Sequence, residues 1–334
     1  MLIASVLGVG LTLGSPSLRA LAADTNITGG ATVTQDVQGQ ENEATNVTVD
    51  QGSTWKGSAN GVAVNDMLIN VSDNSKWEGS QKIHLGYGDA KITDSTWIGN
   101  STVEGDPNGG WTQSSVELNH STWKGNVSSK YGSTQTRLLN GSTYEGAISV
   151  ESGDANFYGE ANSSIKGNVI VRGNQNYRGS FNAQLNDSHW VGDGDVQDGY
   201  FSVNLENNAT GVGNVKAING EVNIYGYEDS SWKGNLSSEA TVESQSSRVS
   251  VGMHNFSSYE GDVSVTSAPN SYGDARVSLG QGSTWKGNLT TRANGGNMSS
   301  NVDMYDHSSW VGNADVDRYF YAYMGSNSSW NGSA

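Results

Sequence analysis

A short signature returns along nearly the whole chain and limits what it can fold into. Ser53-Thr54-Trp55-Lys56-Gly57 comes back as Ser75-Lys76-Trp77-Glu78-Gly79 and Ser95-Thr96-Trp97-Ile98-Gly99. It returns again around Trp123, Tyr144, Trp190, Trp232, Tyr259, Trp285, Trp310 and Trp330. Two degenerate copies, with Ile165 and Gly211 where the ring should stand, fill the gaps. The thirteen copies are spaced 20 to 27 residues apart, with a mean near 23. A period of this size marks a repeat architecture, in which each unit must stack on its neighbours to bury an apolar face.

Alternating runs lie on both sides of the signature. Lys91-Ile92-Thr93, Ser115-Val116-Glu117-Leu118 and Glu221-Val222-Asn223-Ile224 precede it; Ala147-Ile148-Ser149-Val150 and Asp262-Val263-Ser264-Val265 follow it. Period-two alternation over four or five residues predicts short strands with one buried face. Gly and Asn clusters between them predict corners. No stretch after the first 22 residues keeps a helical apolar stripe. The expected fold is therefore all-β, a solenoid of about 13 turns with about 23 residues and two or three strands in each.

Parity assigns the side chains. From a ring at position i, Gly sits at i+2 and apolar residues at i+4 and i+6, as in Trp123, Gly125 and Val127. A single strand through the motif puts rings and valines on the core face. Core packing then accounts for Trp55, Trp77, Trp97, Trp123, Tyr144, Trp190, Trp232, Tyr259, Trp285, Trp310 and Trp330, against an alternative in which exposed rings stack on carbohydrate. The residue after each ring looks outward: Lys56, Glu78, Lys124, Glu145, Lys166, Lys233, Glu260 and Lys286. Wherever two consecutive copies are both charged, the signs are opposite. The pairs are 56 with 78, 124 with 145, 145 with 166, 233 with 260, and 260 with 286. In-register stacking would set these groups about 4.8 Å apart, where opposite charges attract. The pattern favours a parallel coil of one unit per turn, a rod on the order of 60 Å long, over hairpins.

Composition narrows the function. Gly, Ser, Asn and Thr make 44% of the 334 residues, charged residues 16%, and there is no Cys. The recurrent rings and low charge exclude ordinary disorder. Lack of Cys excludes disulfides, a thiol nucleophile and thiolate metal sites. A net charge of −16 repels a phosphate backbone, so nucleic acid is not an expected partner.

Residues Leu2 to Leu13 form an apolar run of signal-peptide length, too short to span a bilayer, and Ala20-Leu21-Ala22 supplies small residues for cleavage before Ala23. Residues 1–22 are thus expected to be a signal and 23–334 the repeats. Nothing basic precedes Arg19, so the signal is expected to begin upstream of Met1. The last copy stops within its motif at Ser329-Trp330-Asn331-Gly332-Ser333-Ala334, so continuation beyond it is also expected.

Repeated Ser-Thr-Trp-x-Gly-Asn units on an exported, Cys-free chain rich in Gly, Ser, Asn and Thr resemble the passenger domains of autotransporters, the type V secretion proteins of Gram-negative bacteria. The nearer likeness, over roughly residues 24 to 334, is to the pertactin-like and AIDA-like adhesins. The resemblance implies a right-handed parallel β-helix, shown at the cell surface or secreted after crossing the periplasm. It implies a host-cell surface glycan or protein, or another bacterial cell, as partner. Membrane contact would come only through a C-terminal β-barrel, which this chain does not show.

Candidates for chemistry are few. His84, His120, His189, His254 and His307 are scattered, four of them just ahead of a ring motif. No Gly-x-Ser-x-Gly elbow, His-Glu-x-x-His or phosphate-cradling loop occurs, so neither catalysis nor a cofactor is expected. Asp193, Asp195 and Asp198 form the densest acidic cluster and are weak candidates for Ca²⁺, but Asn204 stands where a helix-loop site needs its bidentate Glu. The alternative reading is a secreted glycan-binding or glycan-cleaving β-helix, with Glu104 and Asp106 as candidate carboxylates. Binding would fall to the longer loops, Gly105 to Trp111, Gln197 to Tyr200, Ala268 to Tyr272 and Ala293 to Met298, because repeat insertions gather on one face. The sequons at Asn126, Asn235 and Asn288 are expected by chance in such a composition.

Overall fold

The computed structural model describes residues 5–6 and 24–334, apart from 40, 42, 63–65, 110–111, 175 and 244. The expected signal, 1–22, lies outside the described residues except for Ser5–Val6, a two-residue strand paired with Asn26 and Ile27. The described residues form an all-β parallel solenoid of about 14 turns with about 22 residues per turn, and no helix occurs among them. It divides into two compact units, 1–166 and 167–334.

One turn in the first unit shows the plan. Gln113–Asn119 is a long strand, Thr122–Lys124 a three-residue strand carrying the ring, and Val127–Lys130 a four-residue strand. Each pairs in parallel with its counterpart one turn on: Leu118 with Leu138, Trp123 with Tyr144, Val127 with Ile148. Three parallel sheets therefore wall each unit, here called the long, ring and short faces. The second unit repeats the plan, for instance with Tyr272–Leu279, Thr284–Lys286 and Leu289–Ala293.

The structure adds a turn to the thirteen read from the sequence. Thr32–Val33 pairs with Thr54–Trp55 and opens the ring face of the first unit. Val33 has no ring, and Gln35 replaces the Gly at i+2, so this copy lacks both marks by which the others are recognised. The carbonyl of Gln35 still accepts the indole N–H of Trp55 at 2.7 Å.

Alternation accounts for the core. Trp123, Val127 and Leu118 are 0–1% exposed, while Lys124 between ring and Gly is exposed. The rings at 55, 77, 97, 123, 144, 190, 232, 259, 285 and 310 are all buried, and Trp330 is partly covered. In the first unit Trp55, Trp77, Trp97 and Trp123 stack nearly parallel with centroids 4.2–5.1 Å apart. Trp285, Trp310 and Trp330 do the same in the second at 4.6 Å. Offset stacking of this kind adds about 0.5–1.5 kcal/mol per pair beyond burial.

Glycine at i+2 is dictated by the same stacking. A Cβ at Gly79 would lie 1.9 Å from the carbonyl oxygen of Gly57, and one at Gly287 would lie 1.9 Å from that of Gly261. In most turns the indole N–H donates to that carbonyl of the preceding turn: Trp77 to Gly57, Trp97 to Gly79, Trp310 to Gly287, each at 2.8 Å. The Trp232 indole N–H, which follows the ringless turn of Gly211, is buried without a partner. Ring and glycine therefore form one lock, in which the missing side chain lets the backbone come close enough to satisfy a buried donor.

Two polar ladders complete the corners. Serine at i−2 turns inward: Ser53, Ser142, Ser188 and Ser283 are 0% exposed. The backbone N–H of Ser53 donates to Ser75 Oγ at 3.2 Å, Ser75 to Ser95 at 3.1 Å, Ser95 to Ser121 at 3.1 Å and Ser121 to Ser142 at 3.1 Å. At i+3 an exposed Asn or Asp oxygen accepts the next turn's N–H. Asn126 donates to Asn100 and Ala147 to Asn126; in the second unit Asn214 donates to Asp193, Asn235 to Asn214 and Asp262 to Asn235, at 2.8–2.9 Å. Corner amides that no sheet can reach thus find side-chain acceptors.

The corner from long face to ring face is set by position i−3, where every turn from Gly30 to Asn327 has a positive φ between 47° and 75°. The residues there are Gly, Asn, Asp or His in all turns but one. The exception is Phe256, with φ at 65°.

Candidate functional site

The outward charge column of the ring face is built of ion pairs between successive turns. Lys56 and Glu78 lie 3.5 Å apart, Lys124 and Glu145 3.8 Å, Glu145 and Lys166 3.4 Å, and Lys233 and Glu260 3.3 Å. Glu260 and Lys286 are register partners. Lys76 also pairs with Glu78 and, with Lys56, holds its carboxyl below the usual glutamate range. All these groups are solvated, so each pair contributes little on its own.

The acidic cluster is divided among three structural tasks. Asp193 belongs to the corner ladder, accepting from Asn214 N at 2.8 Å. Asp195 is outward on the short face and bonds the Arg172 guanidinium at 2.6 Å. Asp198 turns the corner into the long face with φ at 52°. Among the described residues no group of three or more His, Cys, Asp or Glu side chains is arranged to hold a metal ion. Asn126, Asn235 and Asn288 are also ladder members, accepting from Ala147, Asp262 and Asn313.

The histidines do not converge. His84 ends a short-face strand with Nδ1 3.9 Å from Glu104; His120 is a corner residue 3.4 Å from Asp94; His189 meets Thr210 Oγ1 at 2.8 Å; His307 meets Asn327 at 3.1 Å. His254 stacks on Tyr227 with centroids 5.5 Å apart. Burial lowers its pKa from the ordinary histidine value, which favours the neutral ring. Of the two carboxylates considered for glycan cleavage, Glu104 faces Lys82 at 3.8 Å and Asp106 accepts the N–H of Asn108 in its own loop.

A hollow of about 350 Å³ on the short face of the first unit is lined by Val62, Lys82, His84 and Glu104. A second, of about 530 Å³, follows its corner at His120, Asn140 and Asn162. The loops singled out from the sequence differ in kind. Gln197 to Tyr200 is a tight corner between the strands Gly194–Gln197 and Gly199–Glu206, not an insertion. Ala268 to Tyr272 is closed by Ser271 Oγ donating to the Ala268 carbonyl at 2.6 Å, and Ala293 to Met298 by Gly295 N donating to the Ala293 carbonyl. Trp111, at the end of the first loop, lies outside the described residues.

The long face of the second unit carries a charge network that sequence reasoning missed. Asp274 points outward by parity yet is 0% exposed, covered by Arg248 at 3.1 Å and Arg276 at 2.9 Å. Arg248 also reaches Glu221 at 3.7 Å, and Glu221 lies 3.9 Å from Arg178. The run Arg248, Asp274, Arg276 could be assembled only after register was known, since its members are 26 and 2 residues apart.

No family model, curated protein sequence or solved structure matches this chain. No helix among the described residues is long and apolar enough to cross a membrane.

Proposed function

We propose that this chain is a surface-displayed or secreted passenger of the autotransporter type, a structural stalk and adhesin without catalytic activity. The observation that carries the reading is the repetition of the ring-to-glycine and asparagine-to-amide ladders in both units, with the serine-to-serine ladder beside them in the first. Bonds of this kind serve extension and permanence, and the charged outward positions of the ring face are paired with one another, while Ile98, Val191, Val212 and Val311 leave apolar side chains exposed beside them. The partner is a host-cell surface glycan or protein, or another bacterial cell, and the route is export through the periplasm of a Gram-negative bacterium.

The test is display. Fused in frame to an autotransporter membrane barrel, the chain is expected to reach the cell surface, become sensitive to external protease and raise binding to epithelial cells or to sister cells. An N-terminus at Ala23 in the exported protein is expected from the same preparation. Retention in the cytoplasm, or surface display with adhesion no higher than the barrel alone, overturns the reading.

A further inference from the structure

Phe256 breaks two rules at once. It is a bulky residue in the left-handed region, at φ 65°, where every other turn places Gly, Asn, Asp or His. It is also 70% exposed, so the ring gains little from burial in exchange for that strain. Leu85 and Tyr131 also carry positive φ, at other corners, but Phe256 alone departs from the residue types of its position and is left in solvent, which makes it the candidate for a role other than packing.

Its surroundings are built to match. The Phe256 ring rests on the next turn at Gly282, where a Cβ would come within 2.7 Å of it. On the long face leading into this corner, the Tyr225 ring rests on Gly252 of the next turn, with 2.7 Å to the corresponding Cβ position, and His254 rests on Gly280 at 2.6 Å. Tyr227, itself 38% exposed, stacks on His254 with planes 19° apart. Four aromatic side chains therefore gather on neighbouring turns of the second unit, three of them held close to the wall by a glycine beneath. The backbone amides of the corner put Asp229 beside Asn255 and Phe256 beside Gln281. Glu228, Asp229 and Gln281 are exposed there and offer acceptors and an amide at the rim of the rings.

We propose that Tyr225, Tyr227, His254 and Phe256 form a binding platform for a neutral oligosaccharide. The apolar C–H face of a pyranose packs on an aromatic ring, and its hydroxyls reach carboxylate and amide groups at the rim. A protein partner would more often find a larger apolar patch, and a lipid surface would meet the carboxylates as repulsion. The same carboxylates, on a chain of net charge −16, reject sialylated and sulfated sugars. The proposal deepens the adhesin reading by naming its ligand class, and it rests on that reading for its biological setting only.

The test uses the purified full chain, so it does not depend on display. It is applied to an array of neutral oligosaccharides of glucose, galactose and N-acetylglucosamine, with sialylated and sulfated versions beside them. Binding to neutral sugars is expected, with a loss of at least tenfold in Phe256→Asn and Tyr227→Ser. Phe256→Asn restores the residue that Asn74 and Asn208 supply at this corner, so it is expected to keep or raise the melting temperature while losing the ligand. No binding to neutral sugars, binding confined to acidic ones, or neutral-sugar binding unchanged in both variants overturns the platform. So does cell binding that Phe256→Asn abolishes but enzymatic removal of surface glycans leaves intact. Sugar binding without surface display would defeat the adhesin reading and leave the platform standing; display and adhesion without sugar binding would do the reverse.

Discussion

At the scale of single residues, the ring and its glycine act together. Gly79→Ala puts a methyl carbon 1.9 Å from a backbone oxygen, and the strand can move away only by breaking the bond from Trp77 to Gly57. A loss of about 3 kcal/mol or more is expected, read as a lowered urea midpoint. Where the ring itself is missing the lock changes shape. Gly211 leaves a void that the Trp232 ring enters, its carbons 2.2–2.4 Å from where a Cβ would stand, and Trp232 comes within 5.1 Å of Trp190. The two tyrosines that replace indoles add a pH dependence. Burial raises the phenol pKa of Tyr144 and of Tyr259. A raised folded-state value means that stability is complete below the ordinary tyrosine pKa of about 10 and is lost as pH rises toward the shifted one. Replacing both by Phe is expected to move the alkaline unfolding transition, followed by circular dichroism, to higher pH. At neutral pH the change costs about 1 kcal/mol for each lost hydroxyl bond.

At the scale of the strand and corner, buried ladders should matter more than exposed ones. Ser95→Ala removes the acceptor for the Ser75 N–H inside the core, and about 1–2 kcal/mol is expected from denaturant titration. Asn126→Ala removes an exposed acceptor whose donor water can reach, so the expected loss is smaller than for Ser95→Ala. In the charge column Glu145 sits between Lys124 and Lys166. Glu145→Lys stacks three cations and is expected to lower the melting temperature by about 1–2 °C at low ionic strength, with most of that recovered in 0.5 M salt.

What the sequence discloses follows from which contacts repeat. Ring parity and the charge column were readable because Trp123, Gly125, Val127 and Lys124 recur in fixed order, and a parallel coil is the fold that stacks them in columns. The inward serines share that parity but look like corner residues by composition, so their place in the core waited for the structure. Val33 was invisible because neither it nor Gln35 carries the motif. Phe256 was readable in principle: aligned on the ring, position i−3 contains one apolar residue in the whole chain. What made it informative, a positive φ at that position in every turn, is a property of the backbone.

At the scale of the whole molecule, stability is a sum of turns and the interfaces between them. Removing 122–142 deletes one whole turn and joins Ser121 to Thr143, leaving Trp97 beside Tyr144. This protein is expected to keep its β circular dichroism spectrum and unfold at modestly lower urea. Removing 122–132 leaves the register of the following strands wrong on all three faces and is expected to abolish the folded signal. A retained spectrum in the second deletion, or a lost one in the first, would contradict a fold built by periodic stacking.

The indole and asparagine ladders share a direction: the donor belongs to the later turn and its acceptor to the earlier one. A finished turn therefore presents waiting carbonyl and amide oxygens to whatever part of the polypeptide arrives next. The serine ladder runs the other way, the N–H of Ser53 in the earlier turn donating to Ser75 in the later one, so each arriving turn completes the one before it and is fastened as it lands. A chain threaded outward through a narrow opening would for this reason resist sliding back, its own winding doing the work of a motor.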